Sequence, residues 1–398
     1  MAGIIRLTGE GIGPFEKFDF DFSDGNGHPH MGPHILAGVN GSGKSTILRT
    51  LAWLFETGTS QGFPAEDFYR LGRGGISRAT AELDNGVLER LFHSRFGRAI
   101  PLPSYLPLAV GYGPSRAVKH LDRIDLFEHP SGPAENSLSF DATVQNDYVQ
   151  SWLGGLVSRR ALVERKGEDG SKYSAALARF DATLSQICGE TMGFDVDIEP
   201  YLQARIVRGD QRLNFSQIPD GIRNTVGWLA DLLMRLDMNG SDEAVVLLDE
   251  IDAHLHPKWQ RLILIALRKA LPKVQFFVTT HSPFVIGSCP GARVHILEVD
   301  EHGRAHNHPP QDAPVGESYL AIMKGIFDVG SRFDVETERE LNEWNDLRRS
   351  QVAGRLTTEG AARLSELTGR LSERSEELRQ IVDVPGSLSE SLLRALHQ

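Results

Sequence analysis

The stretch LLDEIDAHLHPKWQ, residues 247–260, brings Asp249, Glu250, Asp252, His254 and His256 close together along the chain. Carboxylates and imidazoles at this density could ligate a metal ion, or they could form one wall of a nucleotide site. A second stretch, GVNGSGKS at residues 38–45, matches the pattern G-x-x-x-x-G-K-[ST] in full. Gly41 and Gly43 let the backbone curl so that successive N–H groups converge on a phosphate. A helix beginning near Lys44 would add its positive end. Lys44 can reach β- and γ-phosphates, and the Ser45 hydroxyl can hold Mg²⁺. Gly38, Asn40, Ser42 and Thr46 complete the candidate nucleotide-binding set.

A loop of this kind needs an acidic strand end beside it, and AVVLLDE (residues 244–250) supplies one. Asp249, at the carboxyl end of an apolar strand, is placed to hold the Mg²⁺ shell. Glu250 can orient or deprotonate an attacking water. In FFVTTHS, His281 falls just past the next apolar strand, where it could contact a γ-phosphate.

The elements that must position these residues are legible in outline. FDFDF, residues 18–22, alternates apolar and acidic residues as a half-buried antiparallel strand does. HILAG reads as a buried strand leading into the glycine-rich loop, and STILRTLAWLFET as the helix after it. Residues 76–118 carry short strands with Gly and Pro breaks. Residues 141–190 read as two helices separated by RKGEDGSK. TVGWLADLLMRL is a further helix, and HPKWQRLILIALRKALP is predicted to be one continuous helix. EAVVLLDE, VQFFVTTHS and ARVHILEVD have the apolar runs of parallel strands buried on both faces. Beyond NHPPQDAP the composition shifts. Leu364, Leu367, Leu371, Leu378 and Ile381 then recur at three- and four-residue spacings, which predicts an amphipathic helical pair over 335–380.

Composition excludes some classes. With 398 residues, 40% hydrophobic and 24% charged, the chain can bury a large core. No apolar run approaches the roughly 18 residues that span a bilayer, so no membrane partner is expected. Cys188 and Cys289 match no metal or redox spacing and fit a reducing, cytoplasmic location. The formal charge is −11, yet residues 70–123 hold Arg70, Arg73, Arg78, Arg90, Arg95, Arg98, Arg116, Lys119 and Arg123 against four acids. Such a local basic face could steer DNA, or it could be solvated strand and loop surface.

Taken in order, GVNGSGKS, VVLLDEIDAHLHP and FVTTHSPFVI resemble the ABC-type ATPase heads of the RecF, SMC and OLD-like ("overcoming lysogenisation defect") group over roughly residues 1–300. The resemblance implies an α/β fold: a P-loop ATPase head with a mixed central sheet, antiparallel N-terminal strands, a helical lobe and a C-terminal helical extension. The head would span 1–310, with one lobe over about 1–125 and 245–310 and a helical lobe over about 126–244. The extension would span 311–398. Within that resemblance Asp249 and Glu250 are the Walker B pair and His281 the switch histidine. Asp252 and His254 belong to the D-loop, and only Asp249 and Ser45 touch Mg²⁺, so the resemblance decides against a metal centre at 247–260. FSQIPDGIRN (215–224) corresponds to the signature loop, with Gly221 facing the γ-phosphate held by a second copy. Pro219 replaces the usual serine there and Asp220 a glycine, which bears on the hydrolysis rate. YGPSR (112–116) also resembles a stretch common in the group, without a role for Arg116.

The resemblance further implies a homodimer or higher oligomer that binds and hydrolyses ATP with Mg²⁺. The segment after Pro314 contains no Asp-x-Asp, so no nuclease of its own is expected. The expected setting is the ATPase subunit of a Septu-like or retron-associated anti-phage defence system, working with a separately encoded effector nuclease. A RecF-like repair or loading ATPase is the alternative within the class. A transporter motor, or a scaffold that binds ATP without turning it over, is the alternative outside it.

Overall fold

A computed structural model of the chain describes residues 3–56, 77–93, 96–99, 106–114, 116, 124, 129–140, 143–199 and 202–383. The chain divides into two compact units, residues 1–327 and 328–398.

The first unit opens with strands β1 (Ile4–Ile12), β2 (Phe15–Asp21) and β3 (His34–Gly38), then helix α1 (Lys44–Phe55). Strands β4 (Ser77–Leu83), β5 (Gly86–His93), β6 (Phe96–Ala99) and β7 (Leu108–Tyr112) follow, then helices α2 (Asn146–Arg165) and α3 (Ser171–Cys188). Next come β8 (Met192–Asp197), β9 (Gln203–Arg208), β10 (Gln211–Leu213) and α4 (Asp220–Asn239). The acidic strand β11 (Ala244–Leu248) leads to α5 (Pro257–Gln260), α6 (Ile263–Ala270), β12 (Val274–Thr279) and α7 (Pro283–Ile286). Strands β13 (Arg293–Val299), β14 (Ala305–Asn307) and β15 (Gln311–Asp312) and helix α8 (Tyr319–Phe327) complete it.

Twelve strands form one sheet in the order β6-β5-β4-β1-β2-β14-β13-β3-β12-β11-β7, with β15 beside β13. From β13 to β7 all neighbours are parallel, whereas β1, β2, β4, β5 and β6 pair antiparallel. This is the mixed central sheet with antiparallel N-terminal strands that the sequence predicts. Strands β8, β9 and β10 make a separate small sheet. The central parallel strands β3, β7, β11 and β12 are buried along their whole length because both faces are covered, and β11 is wholly apolar. Ala244, Val246 and Leu248 of β11 enter one core with helices α2, α3, α4 and α6, while Val245 and Leu247 enter another with α1 and the N-terminal strands. Strand β2 behaves as its alternation predicts, with Phe15, Phe18 and Phe20 buried and Glu16, Lys17 and Asp19 exposed.

Three readings need correction. The segment 256–272 is not one helix: α5 ends at Gln260 and α6 starts at Ile263, with Arg261 and Leu262 between them. Helix α4 begins at Asp220, earlier than its apolar pattern suggests, so Gly221 sits in its first turn. Helix α8, read as part of the extension, belongs to the first unit, where Ile322 and Phe327 join the larger core.

The second unit contains α9 (Val335–Val352), α10 (Thr358–Arg374) and α11 (Glu376–Val382), capped by Asp334, Thr357 and Ser375 side chains that accept backbone N–H groups. The apolar stripe on α10 is covered within this unit: Leu364, Leu367 and Leu371 bury against Trp344 of α9 and against Leu378 and Val382 of α11. The indole N–H of Trp344 donates to Thr368 Oγ1 at 2.8 Å, so the ring enters this small core with its polar group paired.

Candidate nucleotide site

The loop between β3 and α1 is shaped by where side chains cannot go. Gly43 has φ 90°, and a Cβ there would lie 2.4 Å from the Phe15 ring. Phe15 and Pro14, in the β1–β2 turn and at the start of β2, therefore brace the loop from behind. Lys44, the first residue of α1, is buried. Its ammonium donates to the carbonyls of Gly38 (3.0 Å) and Val39 (2.9 Å). Burial lowers the Lys44 pKa, and the carboxylates of Asp249, Glu250 and Asp252 oppose that shift.

Asp249 and Glu250 follow β11, next to β12 on one side and β7 on the other. Asp249 Oδ1 accepts from Ser45 Oγ at 2.9 Å and from Thr279 Oγ1 at 2.6 Å. Thr279 Oγ1 in turn accepts the Glu250 backbone N–H at 2.7 Å. Glu250 has φ 48°, the left-handed region, which costs a residue with a Cβ roughly 1 kcal/mol. Arg116 meets the same turn from the β7 side. It is 4% exposed, and its Nη1 donates to the carbonyls of Gly113 (2.7 Å) and Asp249 (2.8 Å), its Nη2 to that of Glu250 (3.0 Å). Burial pulls this guanidinium down to about 10.

A cavity of about 370 Å³ is lined by Pro14, Asn40, Gly41, Gly43, Lys44, Ser45, Thr46, Glu250, Thr279 and His281. Burial, then the nearby charge of Lys44, lowers the His281 pKa and favours neutral imidazole. The volume is in the range of small-molecule sites. The donor set suits a nucleoside triphosphate: one buried ammonium, a run of loop backbone, and the oxygens of Ser45 and Asp249 together. Hard oxygen donors of that kind fit Mg²⁺. The Ser42 hydroxyl is buried under the loop with no hydrogen-bond partner.

The remaining residues of 247–260 have other engagements. Asp252 Oδ1 accepts from Thr280 Oγ1 at 2.5 Å, and His256 Nδ1 caps α5 by accepting from Lys258 N. His254 has φ 63°. Its carbonyl oxygen would lie 2.3 Å from a Cβ at Gly221, so within one chain that glycine is required by the close approach of α4 to the turn at His254. Gly221 does not line the cavity of its own chain.

Sequence reasoning missed Pro14, Thr279 and the use of Arg116. The proposed basic face has a different outcome. Arg70, Arg73, Arg95, Lys119 and Arg123 lie outside the described residues, and Arg98 is on β6. Arg78 pairs with Glu89 at 3.4 Å, and Arg90 lies over the Trp53 ring and donates to the Glu56 carbonyl. Arg116 is internal.

The parallel strand order and the glycine-rich loop between β3 and α1 define the class, a P-loop nucleotide-binding fold. Family models agree: an "AAA domain" matches residues 6–101, and an "AAA domain, putative AbiEii toxin, Type IV TA system" matches residues 120–287. A Septu protein PtuA from Bacillus mycoides (strain KBAB4) is 36% identical over 304 residues, covering 73% of this chain and 39% of that protein. The Septu protein PtuA of Bacillus thuringiensis is 22% identical over 392 residues, covering 87% of this chain and 91% of that protein. The "Retron Vc95 probable ATPase" of Vibrio cholerae serotype O1 biovar El Tor is 28% identical over 188 residues, covering 43% of this chain and 36% of that protein. The chain is thus similar to Septu PtuA proteins and to a retron ATPase, and two AAA-domain models match parts of it. It matches less than two fifths of the length of two of these relatives. Among the described residues, no helix is long and apolar enough to cross a membrane.

Proposed function

We propose that this chain binds ATP with Mg²⁺ and hydrolyses it, and that the nucleotide state governs a separately encoded effector, a nuclease, in anti-phage defence. The observation that carries the chemistry is the convergence of Lys44, Ser45, Glu250 and His281, from three separate strand ends, on one cavity, with Asp249 bonded to Ser45 beside it. Lys44 and the N–H groups of the 38–46 loop hold the phosphates. Ser45 and Asp249 hold Mg²⁺, which when bound neutralises phosphate charge. Glu250 takes the proton of the attacking water, and His281, kept neutral, orients the γ-phosphate. The setting in defence draws its support from the Septu and retron relatives.

Gly221 in the first turn of α4 does not line its own chain's cavity, which supports a composite site in which a second copy supplies that helix end. The chain then works as a homodimer or a higher oligomer built from dimers. Comparison of nucleotide affinity with turnover in two variants tests the reading. Lys44→Ala should lose ATP binding, and Glu250→Gln should keep binding and lose turnover, because an amide does not accept the proton. Sedimentation of Glu250→Gln with ATP should show at least a dimer. Normal turnover by Glu250→Gln would remove the assigned base, and a monomer under those conditions would remove the composite site.

A further inference from the structure

Glu250 lies two residues past the end of β11 and lines the cavity with a left-handed backbone, φ 48°; such a conformation persists in a residue with a Cβ only where the surroundings impose it. Both polar groups of its backbone are gripped. The N–H donates to Thr279 Oγ1, and the carbonyl accepts from Arg116 Nη2. Thr279 belongs to β12, and its hydroxyl is also committed to Asp249. Arg116 lies beyond β7, on the opposite side of β11, and its other terminal nitrogen fastens the carbonyls of Gly113 and Asp249.

A planar guanidinium suits this task where an ammonium would not. Its N–H groups point in fixed directions, so one group can span three carbonyls of two strand ends without rotating. The carbonyls of Asp249 and Glu250 belong to the two peptides that flank the Glu250 Cα and so set the direction of its side chain. An exposed arginine would serve for surface charge, but this one is 4% exposed and makes all three of these bonds to backbone oxygens. Its charge is thereby taken away from solvent and from any partner and is given to geometry.

We propose that Arg116 is a positioning residue for ATP hydrolysis, which fixes Glu250 in its left-handed turn and so aims the carboxylate into the nucleotide cavity. This rests on the reading of Glu250 as the catalytic base. Arg116 does not line the cavity, so it affects the proton acceptor and not nucleotide capture. A misplacement of about 1 Å in a catalytic group costs on the order of a hundredfold in rate. Arg116→Lys should therefore lower kcat by about that factor while KM for ATP, and affinity measured in the Glu250→Gln background, stay within about threefold.

The decisive readout is a double-mutant cycle on kcat in the full chain, with Arg116→Lys, Glu250→Gln and both together. The two losses should not multiply: once Glu250 has no carboxylate, releasing its turn has nothing more to remove. Thermal melting accompanies each protein, and Arg116→Gln replaces the lysine variant if that one does not fold. Multiplicative losses, or equal falls in affinity and kcat, would overturn the proposal. So would failure of both variants to fold, which would make Arg116 a folding residue. Wild-type kcat in Arg116→Lys alongside a dead Glu250→Gln would overturn this proposal alone. Wild-type turnover in Glu250→Gln would instead overturn the assignment of the base.

Discussion

Beneath the nucleotide site and along the C-terminal helices, the chain holds arginines by opposite means. In the first unit Arg235 is 1% exposed and pairs with Asp231, 0% exposed, at 2.7 Å. Asp231 also accepts the Tyr112 hydroxyl at 2.7 Å, and Arg235 reaches the carbonyls of Pro133, Glu135 and Thr143. In the second unit Arg363, Arg370 and Arg374 form ladders with Glu336, Glu340, Glu343 and Glu366 along half-exposed faces of α9 and α10. Buried, a charge whose partners all have fixed places becomes a geometric constraint, because every broken bond leaves a group without water. Exposed, the same ion pairs are replaceable by solvent and specify little. The site is built on the first kind of contact, since the carbonyl of Tyr112 accepts the Asp249 N–H at 2.8 Å.

The largest expected effect comes from breaking the buried pair. Arg235→Met keeps much of the side-chain volume but leaves Asp231 charged without its cation and three carbonyls without a donor. A loss of roughly 3–5 kcal/mol is expected, read as a drop in the urea midpoint of the first unit. A loss below about 1 kcal/mol would place this network with the exposed ladders. Trp344→Ala is the corresponding lesion in the second unit. It removes roughly 3–5 kcal/mol of packing from a core whose other fully enclosed side chains are Leu364, Leu367, Leu371, Leu378 and Val382. A core that small rarely supplies more than this. The helices of the second unit should therefore melt at ambient temperature, seen as lost helical circular dichroism, while ATP affinity is kept. Retained helicity would show that something beyond that core stabilises α9 to α11.

How far the sequence reveals each region follows the same division. Lys44, Ser45, Asp249 and Glu250 are legible because a local segment, strand then loop then helix or strand then acid pair, shapes each of them. Arg116 and Thr279 are not, because their work lies in contacts across three strand ends, and YGPSR looks like any turn. Pro14 and Phe15 support the loop from about thirty residues away. The apolar stripe of α10 is visible from its spacing, but its partner is not. Leu378 and Ile381 of α11 share that spacing, but neither the break at Ser375 nor the part that Trp344 plays in closing the core shows in any period. The break between α5 and α6 is likewise silent: nothing in QRLI disfavours a helix, and the Gln260 side chain instead bonds the Leu255 carbonyl at 2.8 Å and the Ser282 hydroxyl at 2.7 Å.

A smaller effect, again confined to the first unit, comes from two buried histidines. His34 Nδ1 and His295 Nε2 lie 3.1 Å apart among Phe20, Phe22 and Phe277. His30 and Arg293 act on both histidines, and Asp21 acts on His295. Burial pushes His34 well below the ordinary histidine range and His295 down to about 3. With the folded pKa depressed, the unfolded chain binds the protons. Stability is therefore unaffected above about pH 6.5 and falls as pH drops below it, by about 1.4 kcal/mol per pH unit for each histidine. Urea denaturation between pH 6.5 and 4.5 should give a shallower pH dependence for His295→Leu than for the parent. Parallel profiles would assign the acid sensitivity to carboxylates instead.

The smallest effect should come from the ladders. Arg370 bonds Glu340 and lies 3.9 Å from Glu336 and 3.8 Å from Glu366, with its side chain 43% exposed. Glu340 is 10% exposed on its side chain and also pairs with Arg374 at 3.0 Å, so removing Arg370 does not leave that carboxylate without a cation. Arg370→Gln should cost roughly 0.2–1 kcal/mol, read from helical circular dichroism of the second unit in urea. Salt separates this kind of contact from the buried one. At 1 M salt the screening length falls to about 3 Å, so the difference between Arg370→Gln and the parent should shrink toward zero, while that of Arg235→Met stays. A cost above about 2 kcal/mol that survives 1 M salt would mean that the ladder fixes α9 against α10, as the buried network fixes α4 against β7, and the contrast between the two units would not hold.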